Sequence, residues 1–290
     1  MAVSIKSTRE IELMREAGKI LAKVHEELGQ AIKPRISTWE INRLGEKLIR
    51  EFGCIPNFLN YNGYPASICV SVNEEVVHGI PNKNRILKEG DIVSLDAGLI
   101  YKGYHSDAAR THYVGQVAPE VQKLVEETRN SFFEGIKMAR AGNHLYDISN
   151  AIDAYISQFG YGIVRDLVGH GIGTQLHEDP QIPNFRQNRR GLKLQPGMTL
   201  AIEPMINMGR AEVEWLSDDW TVVAEDGLPQ HIMKIQFLLQ RENRKSLRLF
   251  KYRRKKHLFC KKKLAFLETF GRMEMRGYND RFIGVLKSRT

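Results

Sequence analysis

Residues 91–114 read DIVSLDAGLIYKGYHSDAARTHYV and predict the centre of the fold. Two runs with strand character flank Lys102-Gly103, a pair typical of a tight turn between antiparallel strands. If these two residues form the turn, Gly98 lies opposite Asp107, and Asp96 is the diagonal neighbour of Asp107 on the same face, about 7 Å away or less between β-carbons. Two carboxylates that close repel each other unless a cation lies between them. The hairpin alone leaves open the alternative that one Asp caps the turn and the other faces water.

Helical patterns precede and follow this hairpin. Ser7-Thr8-Arg9-Glu10 and Ser37-Thr38-Trp39-Glu40 have the spacing of capping boxes, and the helix after the second box is predicted to end at Gly53. The sequence that follows predicts two more helices, over residues 119–141 and 144–159, and two more strands, over residues 198–206 and 220–223. The order helix, helix, strands thus occurs twice. It predicts an α+β fold in which two related halves share one antiparallel sheet, with helices packed on its outer face.

The positive charge of the chain is concentrated at its end. The 290 residues carry a net charge of +9, but 18 basic and 4 acidic residues follow Gln230, against 25 basic and 30 acidic residues before it. We therefore predict a main domain over residues 1–230 and an atypical, poorly ordered basic tail over residues 231–290. The run KYRRKKHLFCKKK (251–263) is typical of a solvated segment, and the alternative is a surface that binds nucleic acid.

The composition excludes two classes of protein. The three cysteines, Cys54, Cys69 and Cys260, are odd in number and far apart, which argues against a disulfide framework. No stretch resembles a signal peptide or approaches the roughly 18 apolar residues of a membrane span. The expected location is the cytoplasm, with no membrane partner.

Further candidate ligands lie in the second half of the chain. Glu203 stands inside the apolar stretch LAIEPM, where an ionised carboxylate is costly without a partner. His170 lies between glycines in GHGIG, and His177 follows seven residues later. With Asp96 and Asp107, the residues Glu203 and His170 form a set of three carboxylates and one imidazole that suits Mn, Fe, Co or Zn. A structural role remains open for each of these residues taken alone.

The motifs VVHGIP, SLDAG, HSDAART, GHGIGTQLHE and LAIEPM, in this order, resemble those of type I methionine aminopeptidases. The resemblance extends from about residue 5 to residue 227 and implies the pseudo-symmetric pita-bread fold, in agreement with the two predicted halves. It implies a monomeric, cytoplasmic metallo-exopeptidase that removes the N-terminal methionine from nascent polypeptides whose second residue is small. The ribosome is an expected partner, and no specific nucleic acid is.

The resemblance also implies roles for individual residues. Two divalent ions (Co, Mn, Fe or Zn) would share an activated water, and their ligands would include Asp96, Asp107, His170 and Glu203. Glu203 would also shuttle a proton, while His78 and His177 would contact the substrate and stabilise the tetrahedral intermediate. The pocket for the methionine side chain would be lined by Tyr61, Tyr64, Cys69, Leu176 and Trp220. Leu176 stands where the family often has an aromatic residue, which we expect to change the fit modestly.

One family ligand is missing from the sequence. The final strand of the family reads roughly HYENT, and its Glu bridges both ions, whereas residues 230–237 read QHIMKIQF and no acid follows until Glu242. The codons of this stretch, read two bases later, can encode Ala-His-Tyr-Glu-Asn-Thr-Ile, and the Glu codon is fully determined. We infer a frameshift, in the gene or in its sequencing, between Gly227 and His231. The second ion should then bind weakly, and this chain should have little or no activity.

The competing hypothesis is a non-catalytic binding module on the same fold. Its partner would be the ribosome or a nucleic acid, with the basic tail as the binding surface. The presence of four ligands and both substrate histidines argues against this alternative.

Overall fold

The structure of the chain, a computed structural model, describes residues 3–239, so most of the predicted tail lies outside the described residues. The helices are α1 (Thr8–Ala31), α2 (Thr38–Glu51), α3 (Pro119–Met138) and α4 (Leu145–Ile156). The strands are β1 (Ile55–Pro56), β2 (Ile68–Val72), β3 (Glu75–Val77), β4 (Ile92–Tyr101), β5 (Tyr104–Tyr113), β6 (Gly162–Ile163), β7 (Gly169–Gly171), β8 (Glu178–Ile182), β9 (Thr199–Ile202), β10 (Met205–Asn207), β11 (Val213–Trp215), β12 (Val222–Ala224), β13 (Gln230–Ile232) and β14 (Lys234–Leu238). None of the helices within residues 3–239 combines the length and the hydrophobicity that a membrane span requires.

Both predicted capping boxes are present. The amide of Glu10 donates to the Ser7 hydroxyl at 3.4 Å, and the Ser7 amide donates to the Glu10 carboxylate at 2.7 Å. The same reciprocal pair joins Ser37 and Glu40 at the start of α2, at 3.1 and 2.9 Å. These bonds satisfy amides that have no partner within the helix and fix where α1 and α2 begin.

The central hairpin has the predicted register. Tyr101 pairs with Tyr104 and Gly98 with Asp107, so Asp96 and Asp107 are diagonal neighbours on one face. Lys102 and Gly103 have φ values of 49° and 84°, as a tight turn with two left-handed residues requires.

The main sheet joins the two halves of the chain through β14. Its strands lie in the order β1-β4-β5-β14-β9-β7-β8, and β2 pairs with β4 along the same edge as β1. β4 and β5 belong to the first half of the chain, whereas β7, β8 and β9 belong to the second. β14 pairs antiparallel with both β5 and β9. Residues 231–239, which the sequence analysis assigned to the tail, therefore contribute strands to the fold.

The two faces of the central strands have different roles. Leu95, Ala97 and Leu99 of β4 are buried in one apolar cluster with residues of α1 and α2, such as Leu28 and Ile41. Each fully buried aliphatic side chain contributes about 1.5–3 kcal/mol to this packing. Because successive side chains of a strand point to opposite faces, the even-numbered residues of β4 face away from these helices.

The predicted strand over residues 198–206 is interrupted in the structure. β9 ends at Ile202, and β10 begins at Met205 and pairs with β6 and β13 instead of the main sheet. Pro204 lies at the break and has no amide hydrogen to donate to a neighbouring strand. The break leaves Glu203 at the junction between two sheets.

Candidate active site

The four predicted metal ligands meet at the centre of the main sheet. Asp96 lies on β4, Asp107 on β5 and His170 on β7, while Glu203 directly follows β9. His170 Nε2 is 3.6 Å from Asp107 Oδ2 and 3.5 Å from Glu203 Oε1. All four side chains are buried. Residues that are more than 100 positions apart in the sequence therefore form one polar cluster.

Backbone contact orients the imidazole of His170. Its Nδ1 lies 2.8 Å from the Gly171 carbonyl oxygen, which can only accept, so Nδ1 carries the proton. The other ring nitrogen, Nε2, points toward Asp107 and Glu203. This is the arrangement of a metal-binding histidine, whose other nitrogen donates to a carbonyl or a carboxylate.

Lys234 of β14 reaches into the same cluster. Its Nζ is 2.8 Å from Asp107 Oδ2, 2.9 Å from Asp96 Oδ2 and 3.7 Å from Glu203 Oε2. The side chain of Lys234 is only 6% exposed. The ammonium group thus lies between the two aspartates, where the hairpin predicted a cation.

Burial and charge shift the pKa values of the cluster in different directions. Burial lowers the pKa of Lys234, but the three carboxylates outweigh it and raise this pKa well above its usual value. Burial raises the pKa of Asp107, but Lys234 and His170 outweigh it and hold this pKa below its usual value. Burial raises the pKa of Asp96 and of Glu203 despite the nearby ammonium. The single positive charge of Lys234 therefore stabilises the ionised form of Asp107, but it does not offset the cost of burying Asp96 and Glu203 as well.

The two predicted substrate histidines lie beside this cluster. The rings of His177 and His170 are 4.3 Å apart between centroids, and His177 Nδ1 is 2.8 Å from the Tyr61 hydroxyl. His78 packs edge-on against Trp220 at 6.2 Å. Burial is the main cause that lowers the pKa of His78 to about 4 and that of His177 to about 3. Both imidazoles are therefore neutral near pH 7.

The predicted pocket residues share one apolar cluster. Tyr64, Cys69 and Leu176 are buried in it, and Tyr61 and Trp220 pack against it partly exposed. Cys69 of β2 is the cross-strand partner of Asp96, which places this cluster next to the carboxylates. The structure thus brings together the residues for which the resemblance implied a side-chain pocket.

Sequence reasoning missed Lys234 and Phe58. The Lys234 ammonium lies 5.8 Å from the centre of the Phe58 ring, a cation–π contact. A lysine between Met233 and Ile235, in an otherwise apolar stretch, was the available signal. Two bases of its codon also belong to the shifted Glu codon. Nothing in the local sequence distinguished Phe58.

Comparisons with known proteins agree with the predicted family. The sequence pattern of metallopeptidase family M24 matches residues 12–228. The methionine aminopeptidase of Clostridium acetobutylicum is 52% identical over 225 residues, which cover 78% of this chain and 90% of that protein. Methionine aminopeptidase 1 of Bacillus subtilis is 50% identical and is covered over 89% of its length by 77% of this chain. This chain belongs to the methionine aminopeptidase family.

Solved structures support the same assignment. A crystal structure of methionine aminopeptidase from Thermotoga maritima superposes with a TM-score of 0.81 at 41% identity, covering 82% of this chain and 96% of that one. The predicted pita-bread fold, family and enzyme class are therefore confirmed, and the non-catalytic alternative finds no support among these relatives. The family is one of metal-dependent hydrolases, which implies divalent metal cofactors.

The described residues fit one divalent ion better than two. Two ligand atoms that each lie about 2.1 Å from one ion in tetrahedral geometry are about 3.4 Å apart. This is close to the 3.5 Å between His170 Nε2 and Glu203 Oε1 and the 3.6 Å between His170 Nε2 and Asp107 Oδ2. Asp107 Oδ1, His170 Nε2 and Glu203 Oε1 are buried without a hydrogen-bond partner. Between Asp96 and Asp107, however, the Lys234 ammonium contacts one carboxylate oxygen of each residue, and a second ion would need the same oxygens. Within residues 3–239, no group of three or more acid, histidine or cysteine side chains is arranged to hold a metal as it stands.

Proposed function

We propose that this site hydrolyses the peptide bond after an N-terminal methionine when the second residue is small, and that the chain as written does so with little or no turnover. The observation that carries the proposal is the cluster of Asp96, Asp107, His170 and Glu203 beside the apolar cluster of Tyr64, Cys69 and Leu176. The names of the similar proteins support the substrate. Lys234 at the position of the missing ligand supports the low turnover.

The proposed metal ligands divide into a fuller and a poorer set. Asp107, His170 and Glu203 would hold the first ion, while only Asp96 and Asp107 remain for the second, which would bind weakly. Co, Mn, Fe or Zn suits such a set of carboxylates and imidazole. A bound divalent ion supplies Lewis acidity and activates water near neutral pH.

The remaining polar residues would act on protons and on the substrate carbonyl. Burial raises the pKa of Glu203, so this carboxyl group is suited to accept a proton and pass it on. When the Tyr61 hydroxyl donates to His177 Nδ1, the other ring nitrogen of His177 carries a proton that it can donate. Neutral His78 and His177 would then stabilise the developing oxyanion, an effect typically worth about 100-fold or more in rate.

The apolar cluster would bind the methionine side chain. A thioether is unbranched and polarizable and contacts aromatic rings favourably. Tyr64 and Trp220 offer such rings, 5.1 Å apart between centroids and edge to face. Leu176 would alter the fit of the methionine side chain only modestly.

The setting of this reaction follows from the substrate. We propose that the chain acts in the cytoplasm on nascent polypeptides, as a monomer that meets them near the ribosome.

The frameshift between Gly227 and His231 also remains a prediction. It is supported by the match to family M24, which ends at residue 228. Resequencing codons 225–235 tests it. We expect a reading frame that encodes the family's Glu at position 234. If neither frame encodes a sequence that resembles the final strand of the family, the frameshift is contradicted.

Hydrolysis of the tripeptide Met-Ala-Ser in the presence of Mn²⁺ tests the proposed function. Because a metal ligand is missing, which should cost no less than the loss of an outer-shell partner, we expect the chain as written to be at least about 10-fold slower than the variant Lys234→Glu, which restores that ligand. The matched control Lys234→Met removes the ammonium without adding a ligand and should stay slow. Near-normal turnover by the unaltered chain, or turnover by Lys234→Glu that survives a further Asp107→Asn change, contradicts the proposal.

A further inference from the structure

The ammonium group of Lys234 has the contacts of a bound cation. It lies within 3.0 Å of one oxygen from each aspartate, at 2.9 Å for Asp96 and 2.8 Å for Asp107, and 3.7 Å from Glu203. The aromatic face of Phe58, 5.8 Å away, closes another side. An ammonium that is held by two carboxylates and a ring, and is 6% exposed, is part of the interior.

The register of β14 determines this placement. Lys234 pairs with Ala109 of β5, while Ile235 pairs with both Ala108 and Ile202. A shift by one residue would turn Ile235 toward the carboxylates and Lys234 toward the other face, because strand side chains alternate. The buried charge and the apolar residues of β14 therefore favour the same register.

The cluster needs a positive charge for stability. Three carboxylates buried together repel one another, and each is costly to remove from water unless it is paired. The Lys234 ammonium uses Asp96 Oδ2 and Asp107 Oδ2, which are oxygens that a second divalent ion would also need. The ammonium and that ion therefore compete for one position.

We propose that Lys234 is a built-in counterion that replaces the second divalent ion, so that the chain binds at most one ion at this site and keeps its fold without metal. This inference rests on the ligands of the proposed function but needs no catalytic activity. It concerns metal content and stability, which can be measured on an inactive chain.

The test combines the Mn²⁺ content with thermal unfolding of the full chain, with EDTA or with Mn²⁺. We expect at most one Mn²⁺ per chain and a Tm in EDTA only slightly below that in Mn²⁺, because no more than one bound ion adds to the stability. In Lys234→Met, the carboxylates lose their counterion, so Tm in EDTA should fall by roughly 10 °C. Mn²⁺ should restore most of that loss and bind with a higher stoichiometry.

Lys6→Met is the matched control. Lys6 is also a buried lysine, 3% exposed, and it pairs with a single carboxylate, that of Glu178. Its replacement should lower Tm, and Mn²⁺ should raise the Tm of this variant no more than it raises that of the unaltered chain. If Lys234→Met behaves like Lys6→Met, Lys234 is an ordinary buried ion pair and the proposal is wrong.

Two further outcomes decide the proposal even if Lys234→Met folds poorly. Two Mn²⁺ per unaltered chain, or a large loss of Tm when the unaltered chain is treated with EDTA, overturns it. The second variant is Asp96→Asn, which removes one negative charge. Adding Lys234→Met to it should cost clearly less Tm than Lys234→Met alone, whereas an equal cost contradicts the proposed pairing. Failure of Met-Ala-Ser hydrolysis by Lys234→Glu would instead count against the proposed function.

Discussion

At the scale of single residues, the site combines groups whose placement the local sequence could predict with one, Lys234, whose placement it could not. The position of Asp96 and Asp107 on one face of the hairpin was predictable, because a two-residue turn fixes the register and side chains alternate between the two faces of a strand. His170 and Glu203 were identified by the glycines and apolar residues around them. The orientation of Lys234 toward the aspartates depends on which strands flank β14, and no pattern near residue 234 contains that information.

The buried histidines predict how stability depends on pH. His231 is 2% exposed, and burial, aided by Arg129, lowers its pKa to about 3 from an ordinary value of 6.5. The unfolded chain therefore binds a proton in this range that the folded chain does not. The contribution of neutral His231 to stability is complete above pH 6.5 and is lost as pH falls toward 3.

We expect His231→Leu to reduce this pH dependence. Between about pH 7.5 and about pH 5, the unaltered chain should lose about 2 kcal/mol more unfolding free energy than the variant. Urea unfolding at the two pH values measures the difference. Equal losses in both chains would show that His231 is not kept neutral by burial.

At the scale of elements, the helices and the hairpin were largely predictable, whereas the order of strands in the sheet was not. The capping boxes at Ser7 and Ser37 and the turn at Lys102-Gly103 each depend on neighbours within a few residues. The placement of β14 between β5 and β9 depends on contacts across the whole chain. The break after β9 was also missed, although Pro204 was a visible signal for it.

The hairpin offers a prediction about close packing. A β-carbon at Gly98 would lie 2.2 Å from Asn57 Oδ1, so Gly98→Ala must displace the Asn57 amide from the face that carries Asp107. We expect a loss of roughly 1–3 kcal/mol of unfolding free energy, as for other overpacked sites. Urea unfolding gives the value, and a chain as stable as the original would contradict the packing described.

The matched control is Gly103→Ala in the turn of the same hairpin. Nothing lies within 4 Å of a β-carbon there, but φ is +84°. Its cost should therefore come from backbone strain alone, about 1 kcal/mol. Because the turn is remote from the cluster, Mn²⁺ content should change in Gly98→Ala and not in Gly103→Ala.

At the scale of the whole molecule, two halves of the sheet are joined by a strand that the family pattern does not match. The match to family M24 ends at residue 228, yet β13 and β14 continue the fold through Leu238. The apolar residues of β14, such as Ile235 and Phe237, are buried between the neighbouring strands β5 and β9 and belong to the hydrophobic core. A stretch with the right alternation of apolar side chains can therefore complete the sheet while it changes the chemistry of the site.

The chemistry of the site depends most on what occupies the space between Asp96 and Asp107. A crystal of the full chain soaked in Mn²⁺, with anomalous difference density measured at the manganese edge, tests this directly. We predict no anomalous peak between the two aspartates, the Lys234 ammonium in hydrogen-bond contact with both, and at most one peak beside His170. Two anomalous peaks bridged by Asp107, with Lys234 turned away from the cluster, would contradict this prediction.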